Sequence, residues 1–194
     1  IDVGMPSASF SLLAGALFIL PYFLFSALGG QLADKYDKAR LARWIKALEV
    51  LLMLGATAGF MLKSAPILLG VLFLLGLQST LFGPLKYGIL PQVLKDEELT
   101  GGNGLVEMGT SMSILVGMVF GGLIFTLAGA HGPVVAAITI IVLAITGNLL
   151  SRMIPRVEAG APDLKINWNP IPESIAIWRL TRKQLAVRNA VLGV

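Results

Sequence analysis

Five long apolar stretches, at residues 10–30, 41–62, 66–85, 105–130 and 133–151, leave a chain like this few ways to fold. Each is about 20 residues long, and an α-helix rising 1.5 Å per residue needs about that length to cross roughly 30 Å of hydrocarbon. None shows the period-two alternation of a barrel strand, which would need only about ten residues. In hydrocarbon a backbone must satisfy its own hydrogen bonds, so the expectation is an all-α membrane protein. Only 13% of the residues are charged, against about 25% in ordinary soluble domains, and the mean hydropathy is +0.82. The glycines and prolines within the stretches suit membrane helices, where small residues let backbones approach closely.

A secretory signal peptide is not expected, because no short apolar segment follows a basic start and leads to a small-residue cleavage site. The chain begins on Ile1 and reaches Val194 within an apolar run, so we read it as a segment of a longer protein. With no cysteine and one histidine it offers no disulfide framework, thiolate metal site or His-rich cluster, and neither metal nor cofactor is expected. No Gly-rich loop followed by Lys-Ser/Thr is present to hold nucleotide phosphates, and no Ser/His/Asp set or paired carboxylates suggest an enzyme. The net charge of +4 lies between apolar runs rather than along a soluble face. Membrane lipids, not nucleic acid, are the expected counter-charge.

Orientation follows from the basic residues. Lys35, Lys38, Arg40, Arg43 and Lys46 fall between the first two spans, and Lys86 and Lys95 fall between the third and fourth. Arg152, Arg156, Lys165, Arg179, Arg182, Lys183 and Arg188 follow the fifth, so fourteen of the fifteen basic residues share one side and only Lys63 lies on the other. The positive-inside rule makes that side cytoplasmic and the segment before the first span external. Residues 1–154 are therefore expected to hold five membrane helices, and 155–194 a cytoplasmic connector leading to a next membrane helix. Within the connector, Ile171, Ile175, Trp178 and Leu185 recur at roughly helical spacing, which suggests an amphipathic helix either on the inner leaflet or clear of it.

The run Gly30-Gln31-Leu32-Ala33-Asp34-Lys35-Tyr36-Asp37-Lys38-Ala39-Arg40 lies between the first two spans. Physically, Gly30 can permit close helix packing, Asp34 can cap a neighbouring helix N-terminus, and Lys35, Lys38 and Arg40 can bind inner-leaflet phosphates. The run resembles the signature loop of the major facilitator superfamily, Gly-x-Leu-Ala-Asp-Arg/Lys-x-Gly-Arg/Lys, with Asp37 in place of the second glycine. The resemblance implies a partial major facilitator bundle, helices two to six of the N-terminal six-helix half, with the C-terminal transporter half missing. Two further runs, Phe82-Gly83-Pro84-Leu85-Lys86-Tyr87-Gly88-Ile89-Leu90-Pro91-Gln92 and Asn103-Gly104-Leu105-Val106-Glu107-Met108-Gly109-Thr110, look like the bacterial lysophospholipid transporters. They also look like the transporter portion of proteins fused to an acyltransferase and an acyl-acyl-carrier-protein synthetase. That resemblance implies movement of a lysophosphatidylethanolamine-like lipid from the outer to the inner leaflet of a bacterial inner membrane. A drug or metabolite exporter of the same superfamily, or a membrane anchor for a fused or associated acyltransferase, is the alternative.

Lys86 and Glu107 are the charged candidates for a gate or substrate contact. Lys86 lies 20 residues after Pro66, about 30 Å along a helix, and Glu107 lies near the start of the following span, so an ion pair across the hairpin is expected. The pair can act as a gate, or Lys86 can meet a lipid phosphate; alternatively Lys86 snorkels and Glu107 favours a helix N-terminus. Gln78 and Asn103 are further candidates; Gln78, with Ser79 and Thr80, can line a cavity or hydrogen-bond between helices. Glu49 has Lys46 as an i, i+3 partner. His131 reads as a turn residue. No basic residue lies within 67–82, which disfavours the proton antiport of many superfamily members. A cysteine introduced at position 63 or 131 should be labelled by an impermeant reagent in intact cells, whereas labelling at position 38 would reverse the orientation.

Overall fold

The structure is a computed structural model that describes residues 6–169. Five α-helices dominate it: α1 (Ser7–Lys35), α2 (Lys38–Met61), α3 (Ala65–Val93), α4 (Leu99–Leu127) and α5 (Gly132–Ser151). All are long and apolar enough to cross a membrane, and no strand occurs among the described residues. The expected amphipathic helix and the start of a next span lie outside the described residues.

The helices alternate in direction, so the Tyr36–Asp37 turn, the α3–α4 turn and the segment after α5 gather at one end, here called the basic end. Helix α2 packs against α3 and α5, α4 touches α5 and α3, and α1 lies along α3. At the opposite end α2 closes with Lys63 in the left-handed region at φ 50°. There the Ser64 N–H donates to the Gly59 carbonyl and the Lys63 N–H to that of Phe60, which satisfies carbonyls that the helix end would orphan.

The boundaries at the α3–α4 turn differ most from the sequence expectation. Helix α3 does not stop at Leu85 but runs through Pro84 and Pro91 to Val93, and α4 starts at Leu99, taking Gly101, Gly102 and Gly104 into its first turns. Lys86 is therefore inside a helix, about 10 Å from its end at 1.5 Å per residue, instead of at a loop border. Glu107 sits in the third turn of α4, too far in to favour its N-terminus.

Helix α3 continues through its prolines beside a close seam with α1. Pro84 has no N–H, so the Thr80 carbonyl lacks its i+4 donor. Gly29 of α1 lies against that oxygen, where a Cβ would come within 2.9 Å. One turn and more away on α3, a Cβ on Gly76 would overlap the Phe18 carbonyl oxygen and crowd Pro21. Gly30, expected to allow close packing, has open space around it; the close approach belongs to Gly29. Beyond the seam, Ala33, Ala42 and Leu85 form a buried cluster joined by Leu41, Phe82, Ile89 and Ile154. It locks the end of α1, the start of α2, the second half of α3 and the segment after α5 together.

A polar tie sits on the inner face of α2. Glu49 Oε2 accepts from Lys46 Nζ at 2.7 Å and from Gln78 Nε2 at 3.1 Å, which bears out the Lys46–Glu49 pair and makes Gln78 a helix-to-helix contact. Lys46 Nζ also stands 5.3 Å from the Phe82 ring centroid. Gly76→Ala should destabilise the protein by about 1–3 kcal/mol, the usual cost of overpacking, whereas Gly30→Ala should be neutral or mildly stabilising. Thermal unfolding in detergent separates them, and equal effects would contradict the seam.

Candidate functional site

The signature run is almost wholly helical. Only Tyr36 and Asp37 separate α1 from α2, and both have negative φ, so the position where the family pattern has glycine does not demand one here. Asp37, rather than Asp34, caps α2: its carboxylate accepts from the Arg40 N–H at 2.8 Å. The Asp34 side chain is exposed at the end of α1. Lys38, expected to reach lipid phosphates, has a buried stem laid over Gly88, where a Cβ would lie 3.2 Å from its Cε. Arg40 is exposed and is therefore the better reporter of sidedness. Lys35 Nζ lies 6.0 Å from the Tyr36 ring centroid.

The chain after α5 returns over this turn as a strap. The Ala161 N–H donates to the Asp34 carbonyl at 2.8 Å, and the Asn167 N–H donates to Gln31 Oε1 at 2.7 Å. Val157 is buried beneath. Arg43 Nη2 reaches the Ile154 carbonyl at 3.2 Å and the Arg152 carbonyl at 3.5 Å, setting a cation on the C-terminal end of α5, where the helix dipole favours it. Sequence reading identified neither the strap nor the Arg43 contact. Backbone bonds between distant residues leave no side-chain signature, although Gln31 as a variable position inside the signature run was a hint.

Lys86 and Glu107 do meet across the α3–α4 hairpin, but loosely. Their charged atoms are 3.9 Å apart, and the Glu107 side chain is 57% exposed against 23% for Lys86. The shorter contact is from Lys86 Nζ to Thr110 Oγ1 at 3.0 Å, while the Thr110 hydroxyl donates to the Val106 carbonyl. Lys86 Nζ is also 4.6 Å from the centroid of the Tyr87 ring. Thr110 follows Glu107 by three residues on the same helix face, so extending the face from Glu107 would have found it. An ammonium has three donors, which leaves capacity beyond Thr110 for an anion.

The other candidates do not converge on Lys86. Gln78 lies eight residues earlier on α3 and turns to Glu49 of α2. Asn103 is exposed and its Nδ2 donates to the Leu99 carbonyl of its own helix. His131 ends a single 3-10 turn between α4 and α5, as the sequence suggested. Groups of three or more residues able to hold a metal ion are absent among the described residues.

If the strap is held by its backbone bonds, Ala161→Pro should raise protease cleavage within 155–169 by about five-fold, the factor for one hydrogen bond of ~1 kcal/mol. Limited proteolysis measures this, and an unchanged cleavage rate would contradict the strap.

The lysophospholipid transporter LplT of Klebsiella pneumoniae (strain 342) is 31% identical to this chain over 169 residues, 84% of this chain and 40% of that protein. Proteins of the same name from Citrobacter koseri and Salmonella newport show the same identity and coverage. The chain thus spans about two fifths of the length of the curated relatives it matches. No solved structure matches it. The family model of the Major Facilitator Superfamily matches residues 2–193. With five apolar helices of spanning length and a short helix-to-helix turn carrying the signature run, this chain is a multi-pass membrane protein that belongs to the major facilitator superfamily.

Proposed function

We propose that this chain is part of a transporter that moves a lysophosphatidylethanolamine-like lipid from the outer to the inner leaflet of a bacterial inner membrane, with its basic end in the cytoplasm. The observation that carries the reading is Lys86: an ammonium inside a membrane-spanning helix, hydrogen-bonded to Thr110 and only loosely paired with Glu107. Lysine is rare within membrane-spanning helices and, where it faces protein, commonly marks a substrate path. The names of the relatives supply the substrate class.

A lysophospholipid asks for two unlike surfaces. Its phosphate needs a cation with a spare donor, which Lys86 offers. Its single acyl chain needs an apolar wall, and α4 carries no charged residue from Met108 to its end at Leu127. Residues 111–123 of α4 are all exposed, because that helix is held at one end through Thr110 and at the other through Phe125 against Gly132 and Phe60. In this arrangement the head group is bound at Lys86 and the chain follows α4 toward the membrane interior. Glu107, exposed beside the ammonium, would repel a phosphate that lies too far from Lys86 and favour an amine-bearing head group over a bare one. The alternating exposure of such a site belongs to the complete transporter, whose second half would supply the facing wall.

In vesicles containing the full-length transporter, Lys86→Met should reduce lysophosphatidylethanolamine flux at least about ten-fold and weaken binding of the lipid, since a charge-assisted contact is worth roughly 1.5–3 kcal/mol. Glu107→Gln should have a smaller effect, additive with that of Lys86→Met. A double mutant no worse than either single one, with unchanged lipid affinity in Lys86→Met, would instead make the pair a gate, whereas additive losses with unchanged lipid affinity would count against both readings.

A further inference from the structure

Helix α2 shows two faces at the basic end. One carries Ala42, Ile45 and Glu49 toward α3. The other carries Arg43, Trp44, Leu48 and Leu51, spaced so that they share a side of the helix, and faces away from α3. With Asn148 and Arg152 of α5 and its end, these residues line a groove of about 460 Å³. We propose that this groove binds an anionic glycerophospholipid from the surrounding leaflet, at a site separate from Lys86.

The order of chemistry along the groove matches a phospholipid. Helix α2 runs inward from the basic end, so Leu51 lies about 12 Å deeper than Arg43. Helix α5 runs outward, so Asn148 lies about 6 Å deeper than Arg152. Arginines therefore stand at the mouth, an amide lies where glycerol esters would sit, and leucines line the deep part. The groove contains two arginines and no acidic residue. The arginines have different duties. Arg43 is engaged by the carbonyls of Arg152 and Ile154, and its Nε is buried. Arg152 holds Arg43 through its backbone, and its side chain is exposed at the basic end of α5. Trp44, 73% exposed, forms the wall, an amphipathic ring of the kind that settles at a membrane boundary.

The charge decides the occupant. A zwitterionic lipid would gain little from the arginine pair, whereas one arginine at an anionic surface corresponds to about a five-fold preference. The substrate site is an ammonium beside a carboxylate between α3 and α4; this groove is a purely cationic mouth on the outer side of α2 and α5. Lipid seated here would brace the end of α5, from which the strap over the signature turn departs.

Trp44 reports occupancy directly. In the full-length protein, with Trp168, Trp178 and any tryptophan beyond this chain replaced by Phe, Trp44 becomes the sole tryptophan. Reconstituted in nanodiscs, its emission should be quenched more strongly by brominated phosphatidylglycerol than by the same mole fraction of brominated phosphatidylcholine. Arg152→Ala, which leaves the backbone contact to Arg43 in place, should abolish that preference. Lys95→Ala, at the same end but on the α3–α4 turn, should keep it. Equal quenching by the two lipids, a preference that survives Arg152→Ala, or loss of the preference on adding millimolar inorganic phosphate at constant ionic strength would overturn the proposal. The last outcome would mean a site for free phosphate rather than for lipid.

Discussion

Pro84 stands in the middle of a membrane-spanning helix and withholds a hydrogen bond from the Thr80 carbonyl, in a medium where an unsatisfied polar group costs several kcal/mol. The helix nevertheless continues, and at that level α1 lies against it through glycine. Gly29 meets the Thr80 oxygen and Gly76 admits the Phe18 backbone, so the two helix backbones approach more closely than side chains would allow. Everything at the basic end depends on α3 reaching past this point. Leu85, fully buried with Ala33 and Ala42, anchors the signature turn. Gly88 bears the stem of Lys38, and the extra turns carry Lys86 to Thr110. Had α3 ended at its first internal proline, Lys86 would be a loop residue among other cations.

The five spans and their alternating direction were legible in the sequence because hydrocarbon imposes a length and an internal hydrogen-bond requirement on every crossing segment. Their ends at the α3–α4 turn were not. Proline ordinarily stops a helix and a run such as Thr100-Gly101-Gly102-Asn103-Gly104 ordinarily reads as a loop, yet both are helical here. Local composition carries no record of the tertiary contacts that overrule it. The Lys46–Glu49 pair was legible from spacing on one helix, but the arrival of Gln78 from another helix was not. The same asymmetry applies at the signature run. Its position was evident, while the cap by Asp37, the burial of Lys38 and the strap through Ala161 and Asn167 depend on residues far apart in the chain.

Two carboxylates within the spans are treated in opposite ways. Glu49 Oε2 is held by both Lys46 and Gln78, as expected of a group that fastens helices together, since removing Lys46 would strand its charge. Glu107 is mostly exposed and stands at salt-bridge distance without a hydrogen bond to Lys86. The cation beside it keeps donors in reserve. A polar group that only holds a fold tends to be fully engaged, whereas one that must accept and release a ligand cannot be. This contrast, more than the presence of charge, is what supports the proposed head-group contact between α3 and α4.

In the proposed complex a lysophospholipid sits with its phosphate at Lys86 and its chain along α4. Photolabelling the full-length transporter with a lysophosphatidylethanolamine that carries a diazirine in its acyl chain, followed by peptide mapping, tests it most directly. Adducts are expected within residues 111–123 and should be lost when Lys86 is replaced by Met. Adducts confined to the outer face of α2, around Trp44 and Leu51, or α4 adducts that persist without Lys86, would contradict it.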